Sequence, residues 1–197
     1  MEFFVNGQKL DITLQDEKTV GDVLKEFEIS CEQNKLAVTG ICLNGKTIDA
    51  SQFDLILTEP LTDSTKIEVS VISESAITES FKLSGKEIEE VIELLKNIPI
   101  EMQSGKDAAA RQSIIKLSDV MNSFCSTVTW SSLFPETFGN LLIEGKTLSE
   151  FLSDFSPVLK DFSVALENSD SVLIGDLAEY EICPRLESLA KALDGSL

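Results

Sequence analysis

Residues 19–27, TVGDVLKEF, carry the period of a helix in a part of the chain where the other apolar residues alternate. The four apolar residues fall at positions i, i+3, i+4 and i+7 of one helical face: Val20, Val23, Leu24 and Phe27. Thr19 and Asp22 are spaced as an N-cap residue and its N3 partner, a variant of the capping box. This stretch therefore predicts an amphipathic helix that begins after Thr19.

The segments on both sides of this helix alternate apolar and polar residues, as half-buried strands do. They are LDITL at 10–14, FDLIL at 53–57 and KIEVSV at 66–71. Asn6-Gly7 is a strong hairpin signal, because both positions tolerate a positive φ. The order of hairpin, helix, strand, turn and strand predicts a β-grasp, in which one helix packs across a small mixed sheet.

The same pieces, in the same order, resemble ubiquitin and its relatives over residues 1–73. They are MEFFV, QKLDITL, TVGDVLKEF, NKLAVTGICLNGKTIDA and TDSTKIEVSV. The VNG and LNG turns and PLTDSTKIEV are also similar to the bacterial sulfur carriers of thiamine and molybdopterin synthesis. Conjugation and sulfur transfer both need a Gly-Gly tail, and here the last strand continues into ISESAITES. The resemblance therefore implies the fold and neither activity.

Beyond residue 80 the apolar residues follow a helical period throughout. Capping boxes at Ser84–Glu87 and Thr147–Glu150 predict two helix starts, and Asp170 predicts the N-cap of a last helix that ends near Leu193. A fourth stripe runs through residues 107–124. The sequence thus predicts an α+β protein with a ubiquitin-like β-grasp domain at 1–75 and an all-α bundle of about four helices at 80–197.

Composition excludes several classes of function. The 197 residues contain 34 Asp and Glu against 16 Lys and Arg, and the net charge of −18 argues against a nucleic-acid partner. There is no histidine, and the four cysteines are dispersed, so we expect no catalytic residue, no metal and no cofactor. No apolar run is long enough to insert into a membrane, and MEFFVNGQKL lacks the features of a signal peptide, which favours the cytoplasm.

Residues 40–47, GICLNGKT, match the pattern of a phosphate-binding loop. An enzyme that binds nucleotides through Gly40, Gly45, Lys46 and Thr47 is therefore an alternative. Such a loop lies between a buried parallel strand and a long helix, whereas residues 41–43 here resemble a strand and residues 48–56 carry little helical stripe. We expect Asn44-Gly45 to form a hairpin turn instead.

Two features of the last helices are expected to be structural. Glu179 falls at the boundary of the apolar stripe, where it needs a cationic partner; Arg111 or Lys106 could supply one as a tie between helices. Pro157 and Pro184 should kink their helices. The paired kinks either shape a groove or simply bend the helices around the core, and the second is the simpler expectation.

The connector WSSLFPETFGNLL places aromatic and aliphatic residues outside any long stripe: Trp130, Leu133, Phe134 and Phe138. They either cap the bundle core or, where exposed, form a surface for a partner protein. We therefore expect a non-enzymatic interaction module, an adaptor or assembly factor, that binds through this connector or through an edge of the sheet. A chaperone for a secreted or flagellar protein is a more specific alternative, and self-association stays open.

Overall fold

The computed structural model describes residues 1–104 and 107–195 and divides the chain into two units, Met1–Ala76 and Ile77–Leu197. The first unit holds the strands β1 (Glu2–Val5), β2 (Gln8–Leu10), β3 (Leu36–Leu43), β4 (Lys46–Ile48) and β5 (Lys66–Ser73), with the helices α1 (Val20–Gln33) and α2 (Phe53–Ile56). The sheet order is β2-β1-β5-β3-β4, and only the central β1–β5 pair is parallel. A mixed sheet with a mostly helical remainder confirms the predicted α+β class.

Two Asn-Gly turns fasten the sheet to β5, its central strand. Asn6 and Gly7 have φ values of 48° and 79°, as a tight hairpin requires. The Asn6 side chain accepts a hydrogen bond from the Val71 amide at 2.9 Å and donates one to the Val71 carbonyl at 3.1 Å. At the other end of β5, Asn44 Oδ1 accepts from the Lys66 amide at 2.9 Å. Each asparagine therefore closes a turn and extends the ladder of hydrogen bonds.

Helix α1 starts as predicted, and its apolar face packs on the sheet. Thr19 and Asp22 form both bonds of the capping box. The core of the first unit consists of Phe3, Val20, Val23, Leu24, Leu43, Ile56, Ile67 and Val69. The spacing of apolar residues thus identified the buried face of this helix correctly.

Two predicted strands of the first unit are wrong in part. Strand β2 ends at Leu10, which pairs with Phe3 of β1, so residues 11–14 are not part of the strand. The predicted strand at 53–57 is instead the short helix α2 (Phe53–Ile56), with Ile56 buried and Leu55 71% exposed. Asp49 Oδ1 accepts from the Ser51 amide at 2.9 Å and so turns the chain into this helix.

The second unit contains most of α3 (Glu74–Gln103), then α4 (Asp107–Ser131), α5 (Pro135–Phe138), a hairpin of β6 (Leu142–Ile143) and β7 (Lys146–Thr147), and α6 (Leu148–Glu167). It ends with α7 (Ser171–Asp176), a π-helical segment (Leu177–Ile182) and α8 (Cys183–Gly195). Four long helical stretches therefore dominate, as predicted. The hairpin was not predicted; Glu144-Gly145 makes the same positive-φ turn as the two Asn-Gly pairs, at 53° and 79°.

The predicted helix start at Ser84–Glu87 is wrong. Helix α3 begins at Glu74, and Ser84 is a buried residue in its interior. The apolar stripe extends to earlier turns through Ile77 and Phe81, both fully buried, and burial of that stripe outweighs the capping potential of Ser84. The boxes at Thr147–Glu150 and the cap at Asp170 are formed as predicted.

The last helical stretch contains a change of winding just before Pro184. The Cys183 amide donates to the Ala178 carbonyl, a bond that spans five residues, as in a π-helix. The predicted stripe is completely buried: Ile174, Ala178, Ile182, Leu186, Leu189 and Leu193. A π segment rotates the following α8 so that residues spaced four apart stay on one face. Pro184 therefore coincides with a change of helix type.

Candidate partner-binding surfaces

The structure divides the four predicted connector residues between surface and core. Trp130 and Leu133 are each 42% exposed at the end of α4, and Phe134 is half-buried. Phe138 is 4% exposed and packs against Phe81, with 5.5 Å between ring centroids. Phe134 meets Phe138 edge-to-face at 6.5 Å. Phe138 thus caps the core, whereas Trp130, Leu133 and Phe134 form what we term the connector surface.

Among the ion pairs of the described residues, none joins Glu179 to Arg111, one of the two predicted partners. Glu179 is exposed, because it lies on the π-helical segment and points away from the buried stripe. It raises the pKa of the neighbouring Tyr180 hydroxyl by accepting its hydrogen bond. Lys106, the other predicted partner, lies outside the described residues.

The GICLNGKT stretch forms a hairpin, as its Asn-Gly pair predicted. Gly40 lies in β3, Gly45 has a φ of 81°, and Lys46 and Thr47 belong to β4. Leu43 pairs with Lys46, and Cys42 pairs with Thr47. No helix follows that could direct amides at a phosphate, since β4 leads into a turn at Asp49 and the four-residue α2. The nucleotide-binding alternative is therefore wrong in its structural premise.

Pro157 and Pro184 line one depression of about 540 Å³, together with the β6–β7 hairpin. The prolines thus border a groove, one of the two outcomes expected of them. Its cations are already paired: Lys146 Nζ lies 2.6 Å from Asp154 Oδ2, and Arg185 lies 2.6 Å from a Glu181 carboxylate oxygen. Because the charged residues of the lining are two acidic (Glu144 and Asp154) and two basic (Lys146 and Arg185), this depression presents little net charge to a ligand.

A larger apolar groove of about 640 Å³ lies in the same unit, between α4 and the junction of α6 with α7. We term it the α4–α6 groove. Its lining includes Met102, Ile114, Ile115, Leu166 and Ile174, with Arg111 and Glu167 at the rim. Ile115 is 51% exposed. The stripe on α4 predicted Ile114 as core, and only the packing of α6 and α7 shows that the space beside it is open.

Three of the four cysteines lack the environment of reactive thiols: Cys31, Cys125 and Cys183. Burial raises the pKa of Cys183 to about 11, and its Sγ lies 3.9 Å from the Ile92 carbonyl oxygen. Burial also raises the pKa values of Cys31 and Cys125. Within residues 1–104 and 107–195, no group of three or more His, Cys, Asp or Glu residues is arranged to hold a metal ion.

The fold and these surfaces define an acidic two-unit α+β protein with an apolar groove in its helical part. The chain belongs to the family of the "Domain of unknown function (DUF8042)", which matches residues 79–192. Residues 1–73 match the "TP0873 N-terminal domain". A protein of Treponema pallidum (strain Nichols), described as uncharacterized, is 28% identical over 193 residues, or 98% of this chain and 96% of the relative.

No solved structure matches the chain. Among the described helices, none is both long and apolar enough to cross a bilayer.

Proposed function

We propose that this chain is a non-enzymatic protein–protein interaction module that acts in the cytoplasm as an adaptor or assembly factor. The observation that carries the proposal is the α4–α6 groove, which combines an apolar lining with an open side. Apolar side chains that stay in contact with water gain free energy when a partner covers them. Ile115, half-exposed on α4, offers this gain to a protein partner.

The connector surface is the second contact that we propose. Trp130 is exposed in the last turn of α4, Leu133 is exposed two residues after that helix ends, and the adjacent Phe134 is half-buried. Tryptophan is enriched among the residues that dominate binding energy at protein interfaces. Phe138 supports this surface through its ring contact with Phe134, and we assign it no contact with the partner.

We propose that the first unit is a ubiquitin-like β-grasp that serves as a scaffold. A mixed five-stranded sheet with α1 packed against it supports this proposal. Strand β5 ends at Ser73 and α3 begins at Glu74, so the place of a free Gly-Gly tail is taken by a helix. The unit would therefore bind or position other proteins without being transferred to them.

Crosslinking and affinity capture from an extract of the source cells test this proposal. We expect Ile115→Ala to reduce capture of the main partner at least fivefold, about 1 kcal/mol, since interface hot spots exceed that value. Leu83→Ala is the matched control, because Leu83 is 57% exposed on α3 and does not line the groove.

Trp130→Ala and Leu133→Ala test the connector surface in the same way. If Ile115→Ala, Trp130→Ala and Leu133→Ala all capture the same partners as the unmodified chain, neither surface is a binding site and the proposal fails. If Leu83→Ala reduces capture as much as these variants do, the loss reflects the removal of any exposed apolar side chain, and that result would also contradict the proposal.

A further inference from the structure

The first unit has its own apolar groove of about 540 Å³, which we term the α1–α2 groove. Its floor is the part of β3 that α1 leaves uncovered, and its walls are α1 and α2. The apolar lining consists of Leu24, Phe27, Val38, Ile41, Phe53 and Leu57. Phe53 is 38% exposed, so the wall formed by α2 is accessible to a ligand.

A bulge in β3 creates the floor of this groove. Val38 pairs with Val71 and Gly40 pairs with Ser70, so Thr39 is an extra residue without a partner on β5. In a regular strand, residues three apart face opposite sides. Because of the bulge, Val38 and Ile41 both pack against the core on the α1 side of the sheet.

The bulge also makes the exposed edge of β3 a poor site for an added strand, so the groove is the better candidate for binding. Strand β4 pairs only with Ile41–Leu43, so within the described chain residues 36–40 of β3 have a strand neighbour on one side alone. A bulge in such an edge interrupts the regular spacing that an added strand needs. Side-chain insertion beside Val38 avoids that requirement.

The rim of the groove is strongly acidic. An adjoining depression shares Asp22 and Lys25 with it. The carboxylates that line the two are Asp16, Glu17, Asp22, Glu26 and Glu28, against the single cation Lys25. Backbone hydrogen bonds from Lys18 and Thr19 lower the pKa of Asp22, which keeps this carboxylate charged. The apolar floor is therefore bordered by a negative field that favours a cationic ligand.

We propose that the α1–α2 groove binds a cationic peptide segment of a partner protein, with an apolar side chain inserted between Phe27 and Phe53 and lysine or arginine residues along the acidic rim. This site is separate from the α4–α6 groove, and either can exist without the other. The volume suits one or two large side chains, since pockets of about 300–1,000 Å³ hold drug-sized ligands.

Fluorescence anisotropy with the full chain and a labelled nonapeptide tests the proposal. The probe has three central leucines with three lysines on each side; one control replaces the lysines with glutamates, and another replaces the leucines with serines. We expect saturable micromolar binding of the probe, weakened by added salt, and much weaker binding of both controls. Amide shifts in the unmodified chain should centre on Val38, Ile41 and Phe53.

Two pairs of matched variants locate the site. Phe53→Ala should weaken binding at least fivefold, whereas Leu55→Ala on the same short helix should not, because Leu55 does not line the groove. Glu28→Lys should weaken binding about threefold to tenfold, and Asp63→Lys, an equal change of charge away from the lining, should have little effect.

The proposal is overturned if the glutamate peptide binds as tightly as the probe, if the variants within each pair bind alike, or if amide shifts fall elsewhere. Self-association that Phe53→Ala abolishes would assign the groove to a second copy of the chain and would also overturn it. Ile115→Ala should leave peptide binding intact, because Ile115 does not line the α1–α2 groove. The two proposals can therefore fail independently: partner capture tests the α4–α6 groove, and peptide binding tests the α1–α2 groove.

Discussion

Replacing Asn6 with glycine tests the attachment of the first hairpin to β5. Glycine tolerates the φ of 48° at this position, so Asn6→Gly removes the two side-chain hydrogen bonds to Val71 without adding backbone strain. Each such bond contributes about 0.5–1.5 kcal/mol net, and the added freedom of glycine in the unfolded chain costs roughly 0.5–1 kcal/mol more. We expect the first unit to lose about 2–3 kcal/mol.

Hydrogen exchange gives a direct measurement at the Val71 amide, because that amide donates to Asn6 Oδ1. A loss of one to two kcal/mol of local protection corresponds to exchange about 5–30 times faster. Fluorescence of Trp130, the single tryptophan, reports the second unit and should change little. Asn6→Ala should be less stable than Asn6→Gly, because alanine also pays for the left-handed conformation, about 1–2 kcal/mol.

Unchanged exchange at Val71 in Asn6→Gly would refute this account, since it would show that other contacts protect the amide. Equal stability of Asn6→Ala and Asn6→Gly would contradict the part of the argument that rests on φ.

Three further changes test the second unit. Thr147→Ala should cost about 1 kcal/mol in urea unfolding followed by Trp130 fluorescence, through loss of the capping box. Hydrogen bonds from Thr147 lower the pKa of Glu150 from 4.5. The stabilisation by the capping box is therefore fully present above about pH 4.5, and it is lost as the pH falls through the lowered pKa of Glu150. The difference in unfolding free energy between Thr147→Ala and the parent should accordingly become smaller in acid. Phe138→Ala should lower the free energy of unfolding by about 3–5 kcal/mol in the same measurement, because it leaves a cavity at a buried position. A loss below about 1 kcal/mol would contradict the burial of Phe138 in the core. At pH 8 only about a thousandth of Cys183 is in the thiolate form. Mass spectrometry should therefore find the half-exposed Cys42 alkylated well before Cys183, and equal alkylation rates of the two would contradict the burial of Cys183.

Local signals in the sequence predicted much of the fold. Asn6-Gly7 and Asn44-Gly45 predicted their turns because their conformations need residues that tolerate a positive φ. Glu144-Gly145 forms the same turn, but glutamate has no such preference, so the small hairpin went unrecognised. Phe53 and Leu57 fit a strand and a helix equally well over so short a segment, and the turn at Asp49 decides between them.

The candidate surfaces could be predicted less well, because exposure depends on neighbours that are distant in sequence. Trp130 and Phe138 look alike in the connector, yet Phe81 from α3 covers only the second. The π segment could not be predicted either, because residues spaced four apart, such as Ile174, Ala178 and Ile182, are also usual on one face of an α-helix.

The bulge at Thr39 makes the face of the sheet on which Val38 lies depend on a single residue. If Thr39 paired with Val71 in a ladder without the bulge, every residue before it would move one position along β5 and turn to the opposite face. Ala37 would then occupy the α1 side and Val38 the other. A shift of one residue in register, with no change in sequence, would therefore put Thr39 in the place of Val38 in the groove floor.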